Sequence, residues 1–140
     1  MIKLPGMDWL KQRNSLRQTA TDLYGNVVTH ARNPVFYAEM GIPDTLEGRY
    51  EMVALHLALV LERLRAEGKA GNALSRETIE TFVADMDGSM RELGVGDLTV
   101  PKKVKSAAAG LYARADSFRQ GLAHDAAPAA DGALEAAIAR

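Results

Sequence analysis

Asp85 and Asp87 come closest in this chain to a paired-carboxylate centre. Two acids could share a proton or hold magnesium, but at i and i+2 on a helix they point in different directions. Neither HExxH nor DxDxDG spacing accompanies them. A solvated or salt-bridged helix face, or an acidic patch for a partner, accounts for them without catalysis. His56 lies inside the apolar run Met52–Leu61, where a lone histidine reads as a hydrogen-bonded core residue rather than a ligand. His30 and His124 sit in other segments, and nothing predicts that the three converge. Cysteine is absent, which removes thiolate nucleophiles, iron–sulfur ligation and disulfides together. The chain therefore reads as no enzyme, with no catalytic residue, no metal ligand and no cofactor.

Other residues suit recognition better. Arg49 and Glu51 flank Tyr50 in the first turns of a helix. Arginine and tyrosine are well suited to contacting a partner; alternatively each pairs with a neighbouring element such as the Gly94–Asp97 turn. Lys102, Lys103 and Lys105 open another helix, where cations oppose the macrodipole. They are compensated by the acidic helix before them or by solvent, or they are drawn to anionic lipid or ribosomal RNA. Phe36, Tyr37 and Met40 follow Pro34 and either plug one end of the core or form an apolar patch for a hydrophobic client. The candidate partner-binding residues are Phe36, Tyr37, Arg49, Tyr50, Glu51, Asp85, Asp87, Arg91, Lys102, Lys103 and Lys105.

Helices must position them. Leu16, Ala20, Leu23 and Val27 fall at three- and four-residue steps, which predicts a helix from about Asn14 to Arg32, ended by Asn33-Pro34. Pro34–Met40 reads as a helical turn or two, stopped by Gly41. Asp44 with Glu47 three residues on makes a capping box for a helix from Thr45 to about Glu67. Its stripe of Leu46, Tyr50, Val53, Leu57, Val60, Leu61 and Leu64, widened by Met52, Leu55 and Leu59, marks it as the buried central helix. Ser75 is the expected cap of the fourth helix, which runs to Gly94, and Thr99 with Pro101 starts the fifth. Asp131 caps an expected short helix over Gly132–Arg140.

This yields an all-α chain: a single compact helical domain of about five main helices with one buried central helix. Residues 1–13 form an N-terminal segment open to disorder, 14–123 the helical domain and 124–140 an alanine-rich tail. With 140 residues, 47% of them hydrophobic, one core needs no disulfide. The longest apolar run is far short of the roughly 20 residues that span a bilayer, and the N-terminus lacks a secretory apolar core. The net charge of −1 argues against a general nucleic-acid binder and against DNA as a partner. Locally, Ser75–Asp97 carries six acids and two bases, whereas Pro101–Gln120 carries five bases and one acid. Neighbouring segments of opposite sign form two distinct faces or pair with each other.

Two stretches resemble a known family. The first is Tyr24-Gly25, Ala31–Tyr37, Gly41–Thr45, Gly48–Met52 and Leu55-His56; the second is Asp85–Asp87, Arg91–Leu98 and Val100–Lys105. In order and rough spacing, from about Tyr24 to Tyr112, they are similar to the signature segments of the ubiquinol–cytochrome c chaperone family. The resemblance implies an assembly chaperone that binds newly made cytochrome b and promotes assembly of ubiquinol–cytochrome c reductase. It also implies a small partner protein and a site near the ribosome, and peripheral contact with the inner membrane is compatible with it. A mitochondrial presequence is missing, which points to a bacterial member in the cytoplasm, and the chain can be truncated at its C-terminus. The alternative is a helical RNA- or ribosome-binding module, or another non-catalytic interaction domain.

Overall fold

Prolines, glycines and side-chain caps set most of the helix boundaries. The computed structural model describes residues 6–125 and side chains up to Ala123. Five helices appear: α1 (Met7–Ala31), α2 (Pro34–Ala38), α3 (Leu46–Arg65), α4 (Gly68–Glu92) and α5 (Val100–Asp125). No strand occurs among the described residues. The expected helix at Gly132–Arg140 lies outside them.

Asn33 separates α1 from α2: its side chain accepts from the Val35 N–H at 3.1 Å, and Pro34 takes the first helical position, where no N–H is needed. The cap of α3 is Thr45, not Asp44. The Thr45 hydroxyl accepts from the Gly48 N–H at 3.1 Å, while the Asp44 carboxylate is held by Arg49 at 2.8 Å.

Two helix starts lie earlier than the sequence suggests. Helix α1 begins at Met7 rather than Asn14, and α4 at Gly68 rather than after Ser75, which is an interior residue. Neither start has a side-chain cap. Helix α4 begins early because the α3–α4 turn is tight. Gly68 takes φ +66 there, a left-handed conformation that costs glycine little. Gly71 then passes so close to α3 that a Cβ would lie 1.9 Å from the Leu64 carbonyl oxygen.

Side-chain pairing gives the topology. Arg17 lies 3.9 Å from Glu77, and Tyr24 bonds Asp85, so α1 and α4 run parallel. Tyr50 bonds Ala107 and Glu62 bonds Arg119, so α3 and α5 also run parallel. The tight turn makes α3 and α4 antiparallel. The long helices therefore alternate in direction, with α3 packed on α1, α4 and α5. Helix α4 likewise packs on the other three long helices, but α3 buries more residues than α1 or α4, in keeping with its apolar width.

The core joins Tyr24, Val27 and Ala31 of α1 to Met52, Val53, Ala54 and Leu57 of α3, with Phe82 and Leu111 closing it from α4 and α5. Leu57, Phe82 and Leu111 are fully buried, each worth roughly 1.5–3 kcal/mol of apolar transfer. The predicted α3 stripe holds in its middle and fails at its edges: Leu46 and Leu59 are exposed. The first half of α1 buries nothing up to Thr19, and Trp9 is exposed there under the Arg13 guanidinium, 5.5 Å from its ring centroid. Among the described residues, no helix is long and apolar enough to cross a membrane.

Candidate functional site

Tyr50 and Glu51 point toward α5. The Tyr50 hydroxyl donates to the Ala107 carbonyl at 2.9 Å. Arg114 grips Glu51 with two nitrogens, Nε at 2.7 Å from Oε2 and Nη2 on Oε1. Its Nη1 donates to the Gly110 carbonyl at 3.0 Å, and its guanidinium lies 5.2 Å from the Tyr50 ring centroid. Burial raises the Tyr50 pKa, partly offset by the Arg114 charge. The hydrogen bond to Glu51 raises that of Arg114. These groups clamp α3 to α5. The Gly94–Asp97 turn, expected to pair with Arg49 or Glu51, is engaged otherwise: Arg91 binds Asp87 at 2.9 Å and Asp97 at 2.7 Å, while Arg49 holds Asp44.

The two aspartates diverge, as their spacing requires. Asp85 accepts from the Tyr24 hydroxyl at 2.5 Å; burial first, and this bond second, push the Tyr24 pKa well above the usual tyrosine range. Asp87 goes to Arg91. His56 has Nδ1 2.7 Å from the Met52 carbonyl, which can only accept, so this nitrogen carries the proton. Phe36 meets the His56 ring edge-on at 5.3 Å, and the Tyr37 hydroxyl donates to the Ala31 carbonyl at 3.1 Å. Both aromatics are half-buried against the core, whereas Met40 is exposed. No group of three or more potential metal ligands occurs among the described residues.

Lys102, Lys103 and Lys105 are all exposed and have no ion pair among the described residues. Three acids of α4 are engaged elsewhere, Glu77 near Arg17, Asp85 with Tyr24 and Asp87 with Arg91. No ion pair ties the three lysines to the acidic helix among the described residues.

One groove gathers several of these residues where α1 ends, α3 begins, α4 ends and α5 begins. Its volume is about 450 Å³. Tyr37, Arg49, Tyr50, Asp85 and Lys103 line it; Phe36, Glu51, Asp87, Arg91, Lys102 and Lys105 do not. The floor is apolar, with Val28, Ala31 and Val53 on one side and Met86 and Met90 on the other. Leu46 and Leu93, 62% and 59% exposed, also line the groove. A shallower depression shares Arg32, Tyr37 and Arg49 with the groove and continues it past α2.

Arg32, Leu46, Met86, Met90 and Leu93 do not stand out in the sequence as site residues. An apolar residue at helical spacing looks the same whether it faces a core or a groove. A usable signal is the Met86/Met90 pair, because methionine adapts to irregular partners.

Comparison with known proteins places these elements. Residues 38–140 match the family model described as ubiquinol-cytochrome C chaperone. The chain is 26% identical over 90 residues to ubiquinol-cytochrome-c reductase complex assembly factor 1 of Xenopus laevis, covering 64% of this chain and 45% of that protein. The Mus musculus protein of the same description is 23% identical over 110 residues, covering 79% and 37%. The chain thus spans less than half the length of these curated relatives. Among solved structures it is similar to the Cbp3 homolog from Brucella abortus, with a TM-score of 0.68 and 31% identity over 94% of this chain and 81% of that one.

Proposed function

The chain belongs to the ubiquinol–cytochrome c chaperone family, and from that premise we propose that it is a non-catalytic assembly chaperone for ubiquinol–cytochrome c reductase with newly made cytochrome b as its client. The observation that carries this reading is the extent of the family match: it begins in α2 and runs through α3, α4 and α5, the elements that build most of the groove. An apolar floor with a charged rim suits holding a protein segment rather than transforming a small molecule.

We place its work in the bacterial cytoplasm, at the membrane surface where a hydrophobic client emerges, with a small partner protein as a further component. Lys102, Lys103 and Lys105 favour a docking contact with anionic lipid or the ribosome, since each exposed lysine near an anionic bilayer contributes about 1 kcal/mol. Deleting the gene should lower assembled reductase and leave transcripts of its subunits unchanged, and cytochrome b should copurify with the tagged chain. Reversing the three lysines to glutamate should keep the fold and weaken membrane or ribosome association, most of all at low salt. Normal assembly in the deletion strain under respiratory growth would reject the reading.

A further inference from the structure

We propose that the start of α1 is a peripheral membrane anchor: Met7, Trp9 and Leu10 enter the interface of an anionic bilayer, and Lys11 and Arg13 lie among its headgroups. The inference deepens the chaperone reading, which brings the chain to the membrane surface, and rests on it for the role of the contact.

The apolar side chains argue for a bilayer. Met7, Trp9 and Leu10 are exposed in the first turn of α1, which buries no residue before Ala20. At about 100° per residue the three side chains spread over about 160° of the helix surface. A partner of fixed shape meets one side of such a turn, whereas a fluid interface closes around side chains that radiate. Tryptophan suits that depth, because its ring is apolar and its indole N–H still reaches water or a lipid carbonyl. The Arg13 guanidinium lies 5.5 Å from the Trp9 ring centroid and stands one turn behind it, placed to carry its charge to the phosphates while its stem stays on apolar surface.

The charge argues for an anionic surface at this end of the molecule. Every charged side chain counts here, paired or not. The start of α1 shares one end of the bundle with the end of α3, the start of α4 and the end of α5. Residues 7–17, 58–77 and 116–123, which form that end, carry eight bases and five acids. Residues 18–57 and 78–115, the rest of the described bundle, carry seven bases and ten acids. Residues 1–5 and 124–140 continue from the first end and add two bases and three acids in sequence, too few to reverse its sign. Within residues 7–17 the balance is three bases to one acid, Asp8. Lys102, Lys103 and Lys105 lie at the opposite end with the acidic majority. Attraction to anionic lipid is therefore stronger at the α1 end, and the three lysines are left for the ribosome.

Trp9 is the single tryptophan of the chain, so its fluorescence reports this site alone. Vesicles of phosphatidylglycerol and phosphatidylcholine in equal parts, added to the full chain, should shift the emission to the blue. Lipids brominated on the acyl chain should quench it. Binding to phosphatidylcholine alone should be at least about tenfold weaker, because the bases then lose their counterpart. Met7→Gln with Leu10→Gln should weaken binding about tenfold or more while the melting temperature holds, since both side chains are exposed. Lys11→Glu with Arg13→Glu should abolish the preference for phosphatidylglycerol. Reversing Lys102, Lys103 and Lys105 to glutamate should leave vesicle binding unchanged, since they lie at the far end of the bundle. Unshifted emission, equal binding to both vesicle types, unchanged binding by the double-glutamine variant, or loss of binding on reversal of the three lysines would overturn the proposal. So would displacement from vesicles by RNA, or a Trp9 already shielded from acrylamide without lipid, which would show that another part of the chain or a second copy covers it. Such a failure leaves the chaperone reading standing. A deletion strain without any assembly defect refutes the chaperone reading, and the vesicle measurements still decide the anchor.

Discussion

Arg114 should matter more to stability than the carboxylate it holds. Arg114→Ala removes the two-pronged contact with Glu51, the bond to the Gly110 carbonyl and the stacking on Tyr50. The Glu51 side chain is 50% exposed and that of Arg114 27%, so solvent screens the ion pair to about 0.5–1 kcal/mol. The cation–π contact adds about 0.5–1 kcal/mol, and the carbonyl bond to a charged donor about 1 kcal/mol. Arg114→Ala should therefore cost about 2–3 kcal/mol, and Glu51→Ala, which loses only the ion pair, about 0.5–1 kcal/mol. In the double-mutant cycle the other Arg114 contacts cancel, leaving a coupling of about 0.5–1 kcal/mol. Urea unfolding of the four proteins measures all three values. Added salt should shrink the coupling while leaving most of the difference between the single mutants. Equal costs for the two single mutants would show that the Gly110 and Tyr50 contacts of Arg114 add nothing to the ion pair. A coupling within about 0.3 kcal/mol of zero would show that the two-pronged contact does not hold in solution.

Leu57→Ala should lose about 2–5 kcal/mol by urea unfolding, because Leu57 is fully buried in α3; a loss below about 1 kcal/mol would misplace the core. Gly71→Ala should destabilise by about 1–3 kcal/mol in a thermal melt through collision with the Leu64 carbonyl, although alanine is the better helix former; a stabilised variant would rule out that close passage. Tyr24→Phe should flatten the alkaline limb of the stability profile. The buried Tyr24 hydroxyl holds its proton more tightly when folded, so its contribution is complete below pH about 10 and declines as pH rises further. Between pH 9 and 11 the wild type should lose about 1.4 kcal/mol that Tyr24→Phe keeps. Parallel profiles would show that the tyrosine is not protected.

Apolar periodicity made the elements legible, and caps made some of their ends legible. The Asn33-Pro34 stop and the start of α5 lie where local chemistry puts them. The apolar steps place a start near Asn14, and Ser75 looks like a start because its side chain can cap, yet α1 and α4 begin seven residues earlier without side-chain caps. For α4 the support is tertiary: its first turn rests on the end of α3, contact that no local pattern encodes. The same limit applies to the site. Arg49 and Tyr50 are recognisable by type. Arg114 is a single arginine among alanines, and its acceptor lies 63 positions away. Leu46 reads as part of a stripe until the neighbouring helices show that the stripe ends before it.

The parallel pairing of α1 with α4 governs the order in which the chain can finish folding during synthesis. Tyr24 and its acceptor Asp85 are 61 residues apart. At about 5–20 residues per second, α1 waits about 3–12 s for its partner to be made. The α3–α4 hairpin can close as soon as both arms exist, since its turn is short and its contacts are local. Until then the Tyr24–Val27–Ala31 face is finished but has only α3 to cover it. A nascent chain stopped between α3 and Phe82 carries that face without the Phe82 ring that meets Tyr24 edge-on, so such truncations should self-associate, whereas chains extended past Asp85 can complete the docking of α1.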